Sequence, residues 1–157
     1  MTEPHLSPQA HQRLREELAW RSGEHRREIS LSIERARELG DISENADYDA
    51  AKDEQGKNEA RIRQIDQILK TAVVLEGTTS GEVVEPGCLV ELRYEGDEDT
   101  QTFLVGSIEE RHDTYDVLST NSPLGQALLG TEPGTTVTYQ GPRRELSATV
   151  VSVRPLD

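Results

Sequence analysis

The chain has 157 residues, 30% of them charged, with a formal net charge of −13 and a mean hydropathy of −0.68. No run of about 18 apolar residues occurs, so no segment reads as a membrane span, and the single cysteine, Cys88, excludes an internal disulfide. The surplus of acid argues against a free-standing nucleic-acid binder, because duplex binding rests on Lys and Arg.

The opening Met1-Thr2-Glu3-Pro4 lacks the basic-then-apolar pattern of a secretory signal. With one cysteine, it points to a cytoplasmic protein. The charge is uneven. Residues 1–76 hold 12 Lys and Arg against 16 Asp and Glu, a net of −4, whereas residues 77–157 hold 5 against 14, a net of −9. The second part should be repelled by nucleic acid and attracted to a basic protein surface.

In chain order, Ser7-Pro8 predicts a helix start, with Ser7 as N-cap and Pro8 at the first helical position. Leu14, Leu18, Ser22, His25, Ile29, Ile33 and Ala36 follow at spacings of three and four, a heptad-like seam for a partner helix. Its middle is weak, because Ser22 and His25 are polar and Gly23 lies beside them. His25 has no second His or Cys nearby and reads as a seam residue. Gly40-Asp41-Ile42-Ser43-Glu44-Asn45 then forms a short turn, with Gly40 suited to end the first helix. Asp41-x-x-Glu44 has the spacing of a capping box, and Ser43 is a rival N-cap. The alternative to capping is that two carboxylates at the end of a helical stalk suit the delivery of charge into another molecule.

A second helix is predicted from about Glu44 to Leu75, with Ala46, Ala50, Ile62, Ile65, Leu69 and Ala72 on one side. Gly56 interrupts it at about 1 kcal/mol relative to Ala. The short connection makes the two helices antiparallel neighbours, and roughly 32 residues each would give a rod of about 48 Å.

Glu76-Gly-Thr-Thr-Ser-Gly-Glu82 reads as a linker. Strands are expected over 88–94, 100–106, 114–118, 135–139 and 146–153, completing an antiparallel sheet. Ser122 and Pro123 open a short helix that ends at Gly130. Cys88 at a strand start reads as a packed thiol. No Gly-rich phosphate loop and no metal-spaced His/Cys cluster occurs. The expected architecture is α+β: residues 1–76 form a long antiparallel helical hairpin, and residues 77–157 form a small globular domain.

Gly40-Asp-Ile-Ser-Glu-Asn-Ala-Asp-Tyr-Asp-Ala-Ala-Lys-Asp-Glu-Gln-Gly56 resembles the signature of the bacterial Gre transcript-cleavage factors, which are transcription elongation factors, and especially the GreA subtype. Asn121-Ser-Pro-Leu-Gly-Gln-Ala-Leu-Leu-Gly130 resembles their second signature. The resemblance runs from about Leu6 to Pro155. It implies a coiled-coil hairpin followed by an FKBP-like domain, and a partner, bacterial RNA polymerase. The globular domain would dock at the rim of the secondary channel through a segment including Ser122, Pro123, Leu124 and Gly125. The hairpin would enter the channel and meet the 3′ end of backtracked nascent RNA.

By the same resemblance, the chain is not itself an enzyme but activates the polymerase to cut its transcript. Asp41 and Glu44 are the tip acids, sharing Mg²⁺ with the polymerase only, and the chain holds no cofactor of its own. Ser43, Asn45 and Tyr48 support the tip, Tyr48 by packing rather than by stacking on RNA. Arg37 and Lys52 match a basic patch that touches RNA, although the interspersed acids make a solvated mixed face an equal reading. Relatives of this fold with altered tips inhibit the polymerase, which is the alternative. A prolyl isomerase activity is disfavoured, because residues 77–157 offer one Phe, three Tyr and no Trp. A monomer is expected, with no membrane contact.

Overall fold

The computed structural model describes residues 3–40 and 45–156. Its elements are β1 (His5–Leu6), α1 (Pro8–Ser22), α2 (Glu24–Glu38), α3 (Ala46–Thr71), β2 (Val73–Val74), β3 (Cys88–Tyr94), β4 (Gln101–Gly106), β5 (Asp116–Ser119), α4 (Pro123–Leu128), β6 (Thr136–Gln140) and β7 (Glu145–Pro155). The chain folds as two units, one of Met1–Ala10 with Val73–Asp157, the other of His11–Ala72. The sequence reading places its boundary at 76/77. Strand pairing draws the first residues to the other side of that line: β1 pairs in parallel with β2, His5 opposite Val73 and Leu6 opposite Val74.

In the helical unit, Ser7 starts α1 as expected, its Oγ accepting from the Ala10 N–H at 3.1 Å. The first expected helix is in fact two. Gly23 adopts φ −109°, ψ −98° between α1 and α2, at the polar middle of the seam. Ser22 adds to the break by turning its hydroxyl back onto the Leu18 carbonyl at 2.7 Å. On α2, Ile29, Ile33 and Ala36 are buried at helical spacing. Side-chain bonds between helices show that α3 runs antiparallel to α1 and α2: Glu17 meets Arg61, Arg21 meets Asn58, Arg26 meets Glu59 and Asn45 meets Ala36.

α3 ends at Thr71 rather than Leu75. The β-branched Val73 and Val74 leave the helix for the strand pair with β1, where Val73 N–H donates to the Pro4 carbonyl and Leu75 N–H to the Leu6 carbonyl, both at 2.8 Å. At 26 residues, α3 is about 39 Å long, shorter than the sequence implied. Its seam also shifts. Ala46 and Ala50 are exposed, and the buried positions are Ala51, Asn58 and Ile65, spaced seven apart.

The other unit is built on a five-stranded sheet in the order β5-β4-β3-β7-β6. The neighbours β3/β4, β3/β7 and β6/β7 are antiparallel. The expectation of a wholly antiparallel sheet fails at one edge, where β5 pairs in parallel with β4, Phe103 opposite Asp116. Residues 107–115 do not close a hairpin but carry the chain back, so β5 runs in the direction of β4. One face carries Val90, Leu92, Val105, Ala148 and Val150, with Leu124 and Leu128 of α4 packed on them. Cys88 is buried there, and burial pushes its thiol pKa up, as befits a packing residue.

Candidate functional site

Asp41, Ser43 and Glu44, the predicted tip acids and one predicted supporting residue, lie outside the described residues. The structure does describe what flanks them. On the α2 side, Leu39 N–H donates to the Ala36 carbonyl at 3.2 Å and Gly40 N–H to the Arg37 carbonyl at 3.4 Å. Gly40 has φ +116°, a conformation that glycine tolerates and other residues rarely adopt.

On the α3 side, the N-cap is Asn45, rather than Asp41 or Ser43. Its Oδ1 accepts from Asp47 N–H at 3.0 Å and from Tyr48 N–H at 3.2 Å. Its Nδ2 donates to the Ala36 carbonyl of α2. Asx side chains are preferred caps because they satisfy the first free N–H groups of a helix, and Asp47 and Asp49 in the first turn suit the helix dipole.

Tyr48 is half-buried and packs on Ile29, Ile33 and Ala51. Arg37 is exposed, its guanidinium carbon 5.9 Å from the centre of the Tyr48 ring, within cation–π range. Lys52 is exposed, and its Nζ donates to Gln55 Oε1 at 2.8 Å. Further along, Arg26 makes a two-pronged pair with Glu59, at 3.0 and 2.8 Å.

A polar cluster that the sequence reading missed lies where α1 faces α3. Glu17 accepts from Arg61 Nε at 3.0 Å and Nη2 at 3.2 Å, and from Arg21 Nε at 2.7 Å. Arg61 chiefly, and Arg21, hold the Glu17 carboxyl below its ordinary value. Asn58, only 1% exposed, accepts from Arg21 Nη1 and donates to the Arg21 carbonyl, both at 3.0 Å. The signal was the seven-residue spacing of Ala51, Asn58 and Ile65, in which a single polar position fixes register.

In the sheet unit, the predicted docking segment folds as expected. Ser122 caps α4 by accepting from Gly125 N–H at 3.0 Å and itself donates to the Ser119 carbonyl at 2.7 Å. Pro123 takes the first helical position. Leu124 is buried in the core. Gly125 is demanded by space: a Cβ there would sit 2.0 Å from the Ser119 oxygen. The second signature is therefore a tightly fitted turn around one capped helix.

Among the described residues, no group of three or more His, Cys, Asp or Glu side chains could hold a metal ion, and no helix is long and apolar enough to cross a membrane.

These observations define a two-unit α+β protein: one unit of antiparallel helices, and a strand-rich unit carrying a capped helical motif. Residues 5–74 match the family model described as "Transcription elongation factor, N-terminal", and residues 79–155 the model described as "Transcription elongation factor, GreA/GreB, C-term". The chain belongs to the GreA/GreB transcription elongation factor family. Similar proteins include the transcription elongation factor GreA of Streptomyces coelicolor, 41% identical over 96% of this chain and 92% of that protein. The same-named protein of Rhodococcus erythropolis is 42% identical over 96% and 93%. Among solved structures, the GreA factor homolog Gfh1 of Thermus thermophilus is 31% identical, covering 98% of this chain and 99% of that one, with a TM-score of 0.45.

Proposed function

We propose that this chain binds bacterial RNA polymerase and stimulates Mg²⁺-dependent cleavage of backtracked nascent RNA, rescuing arrested complexes. The observation that carries the reading is the position of Asp41 and Glu44. In the sequence they fall between Gly40, where α2 has ended, and Asn45, which caps α3, in a chain whose two parts both match the family. The body docks through the segment from Ser122 to Gly125, and the arm enters the channel.

Carboxylates are the hard oxygen donors that Mg²⁺ takes, and two of them leave most of its coordination shell to water and to partner groups. This fits an ion shared with the polymerase better than one held by the chain alone. When bound, the ion supplies charge neutralisation at the phosphodiester. Asp41 would hold it, and Glu44 would orient the attacking water and accept its proton. Arg37 and Lys52 stand on either side of the tip, placed to meet RNA phosphates. Their existing contacts with Tyr48 and Gln55 make that contribution small.

The test is an arrested elongation complex with 3′-labelled RNA and Mg²⁺. The native chain should release short 3′ fragments, and Asp41→Ala or Glu44→Ala should slow release by on the order of 100-fold or more. Absence of fragments with the native chain, or unchanged cleavage by the variants, would refute the reading. Slowed nucleotide addition without cleavage would mark the chain as an inhibitor occupying the same channel.

A further inference from the structure

A cavity of about 860 Å³ lies within the strand-rich unit, inside the range of roughly 300–1,000 Å³ typical of small-molecule sites. Its lining comes from the stretch around β1, the segment after β2 and the sheet with its β4–β5 crossover. Leu75, Pro86, Leu104, Val105 and Leu156 give it an apolar surface. No residue of the Ser122–Gly125 segment lines it, so the proposed docking motif does not account for it. Its polar groups are only partly engaged. Of the lining acids, Glu110 accepts from Ser7 N–H at 2.9 Å and from the Ser7 hydroxyl at 2.6 Å. Glu85 accepts Ser80 N–H through Oε1 at 2.9 Å; its other oxygen and the Glu76 carboxylate have no hydrogen-bond or ion-pair partner among the described residues. Of the donors, Arg111 donates from Nη1 to the Ile108 and Glu110 carbonyls, at 2.8 and 2.7 Å, and its Nε and Nη2 groups are unpaired among the described residues. His112 Nδ1 accepts from Thr114 N–H at 3.0 Å and Tyr115 N–H at 3.3 Å. An accepting Nδ1 puts the proton of a neutral ring on Nε2, where it too is unpaired among the described residues. Thr79, another lining residue, has a buried Oγ1 with no hydrogen-bond partner, a state that buried hydroxyls rarely keep.

We infer that this cavity binds a free α-amino acid with a large apolar side chain. Unengaged groups of both signs around an apolar surface match a zwitterion. Arg111 and the His112 Nε2–H receive its carboxylate through charge-assisted hydrogen bonds, Glu76 and Glu85 receive its ammonium, and its side chain covers the apolar lining. A simple anion would meet Glu76 and Glu85 with nothing to offset them, and a simple cation would leave Arg111 and His112 unmet. The inference stands apart from the proposed cleavage function and uses none of its residues.

The test is a titration of the full-length chain at pH 7, followed by backbone amide chemical shifts. Three ligands are compared: phenylalanine, N-acetylphenylalanine, which lacks the ammonium, and phenylalaninamide, which lacks the carboxylate. Phenylalanine should bind saturably with a Kd of about 1 mM or tighter, moving the amides of residues 75–79, 104–106 and 110–112. Each analogue should bind about tenfold more weakly, the scale of one charged hydrogen-bonding group. Arg111→Ala should weaken phenylalanine about tenfold by the same measure and should not weaken phenylalaninamide. Glu76→Gln, an exposed change, should weaken phenylalanine and should not weaken N-acetylphenylalanine. This pairing of ligand with variant separates a lost contact from a disturbed fold, which would weaken all three ligands alike. Shifts that do not saturate or that scatter over the chain, an analogue that binds as well as phenylalanine, or variants without that selectivity overturn the inference.

Discussion

The sheet unit is held by apolar area: Leu92, Val90, Val105 and Val150 are 0–1% exposed and pack with Leu124 and Leu128 of α4. The helical unit has a small apolar cluster, Ile29, Ile33 and Ala51 with Tyr48, buries Leu14, Ala36 and Ile65 besides, and is also tied by polar side chains that reach from one helix to another. Two antiparallel helices expose most of their surface, so little area is available at about 25 cal/mol per Å². What remains is hydrogen bonding, which is individually modest but directional. Area makes the body stable with no single decisive residue on its surface. Directional bonds make the arm's register and its end depend on a few named side chains.

The comparison is sharpened first in the body. Leu92→Ala should cost about 2–5 kcal/mol, the range for a fully buried leucine, read by urea unfolding followed by far-ultraviolet circular dichroism. A loss well below 1 kcal/mol would mean that the core does not carry the unit.

In the arm, Asn58→Ala should cost about 1–3 kcal/mol, because it strips the Arg21 carbonyl and guanidinium of a buried partner. Trp20 is the chain's one tryptophan and lies on α1, stacked at 4.2 Å on His25, so its fluorescence follows this unit. If Asn58→Ala unfolded there like the native chain, the arm would not depend on its polar ties.

The smallest effect is electrostatic. Arg61 and Arg21 lower the Glu17 pKa from its ordinary 4.5, so this stabilisation is present above that pH and is lost as the pH falls through the lower folded value. Glu17→Gln should cost up to about 1 kcal/mol near neutral pH, with the difference from the native chain shrinking through the acid range in the same Trp20 measurement. A difference that grew on acidification would contradict the pairing.

Much of this was legible in the residues. Ser7-Pro8 and Ser122-Pro123 start helices because capping chemistry is local, and Gly125 and Gly130 sit in a motif long enough to recognise. The break at Gly23 was visible as a weak seam but not as two helices, since a backbone bend depends on what the chain packs against. The end of α3 was misplaced because Val73 and Val74 fit a helical pattern until the remote Pro4 and Leu6 carbonyls accept from Val73 and Leu75 N–H. Asn45 was legible as a tip residue and Asn58 was not noticed. In both, an amide at one helix bonds to a neighbouring helix, a role that emerges only when those helices are side by side.

The most direct measurement of the central claim is the Mg²⁺ dependence of transcript cleavage in one arrested polymerase complex, without factor, with the native chain and with Asp41→Asn. The account predicts that the native chain lowers the Mg²⁺ concentration for half-maximal cleavage and that Asp41→Asn, bound equally well, leaves it at the factor-free value. A full shift retained by Asp41→Asn would show that this carboxylate does not hold the ion.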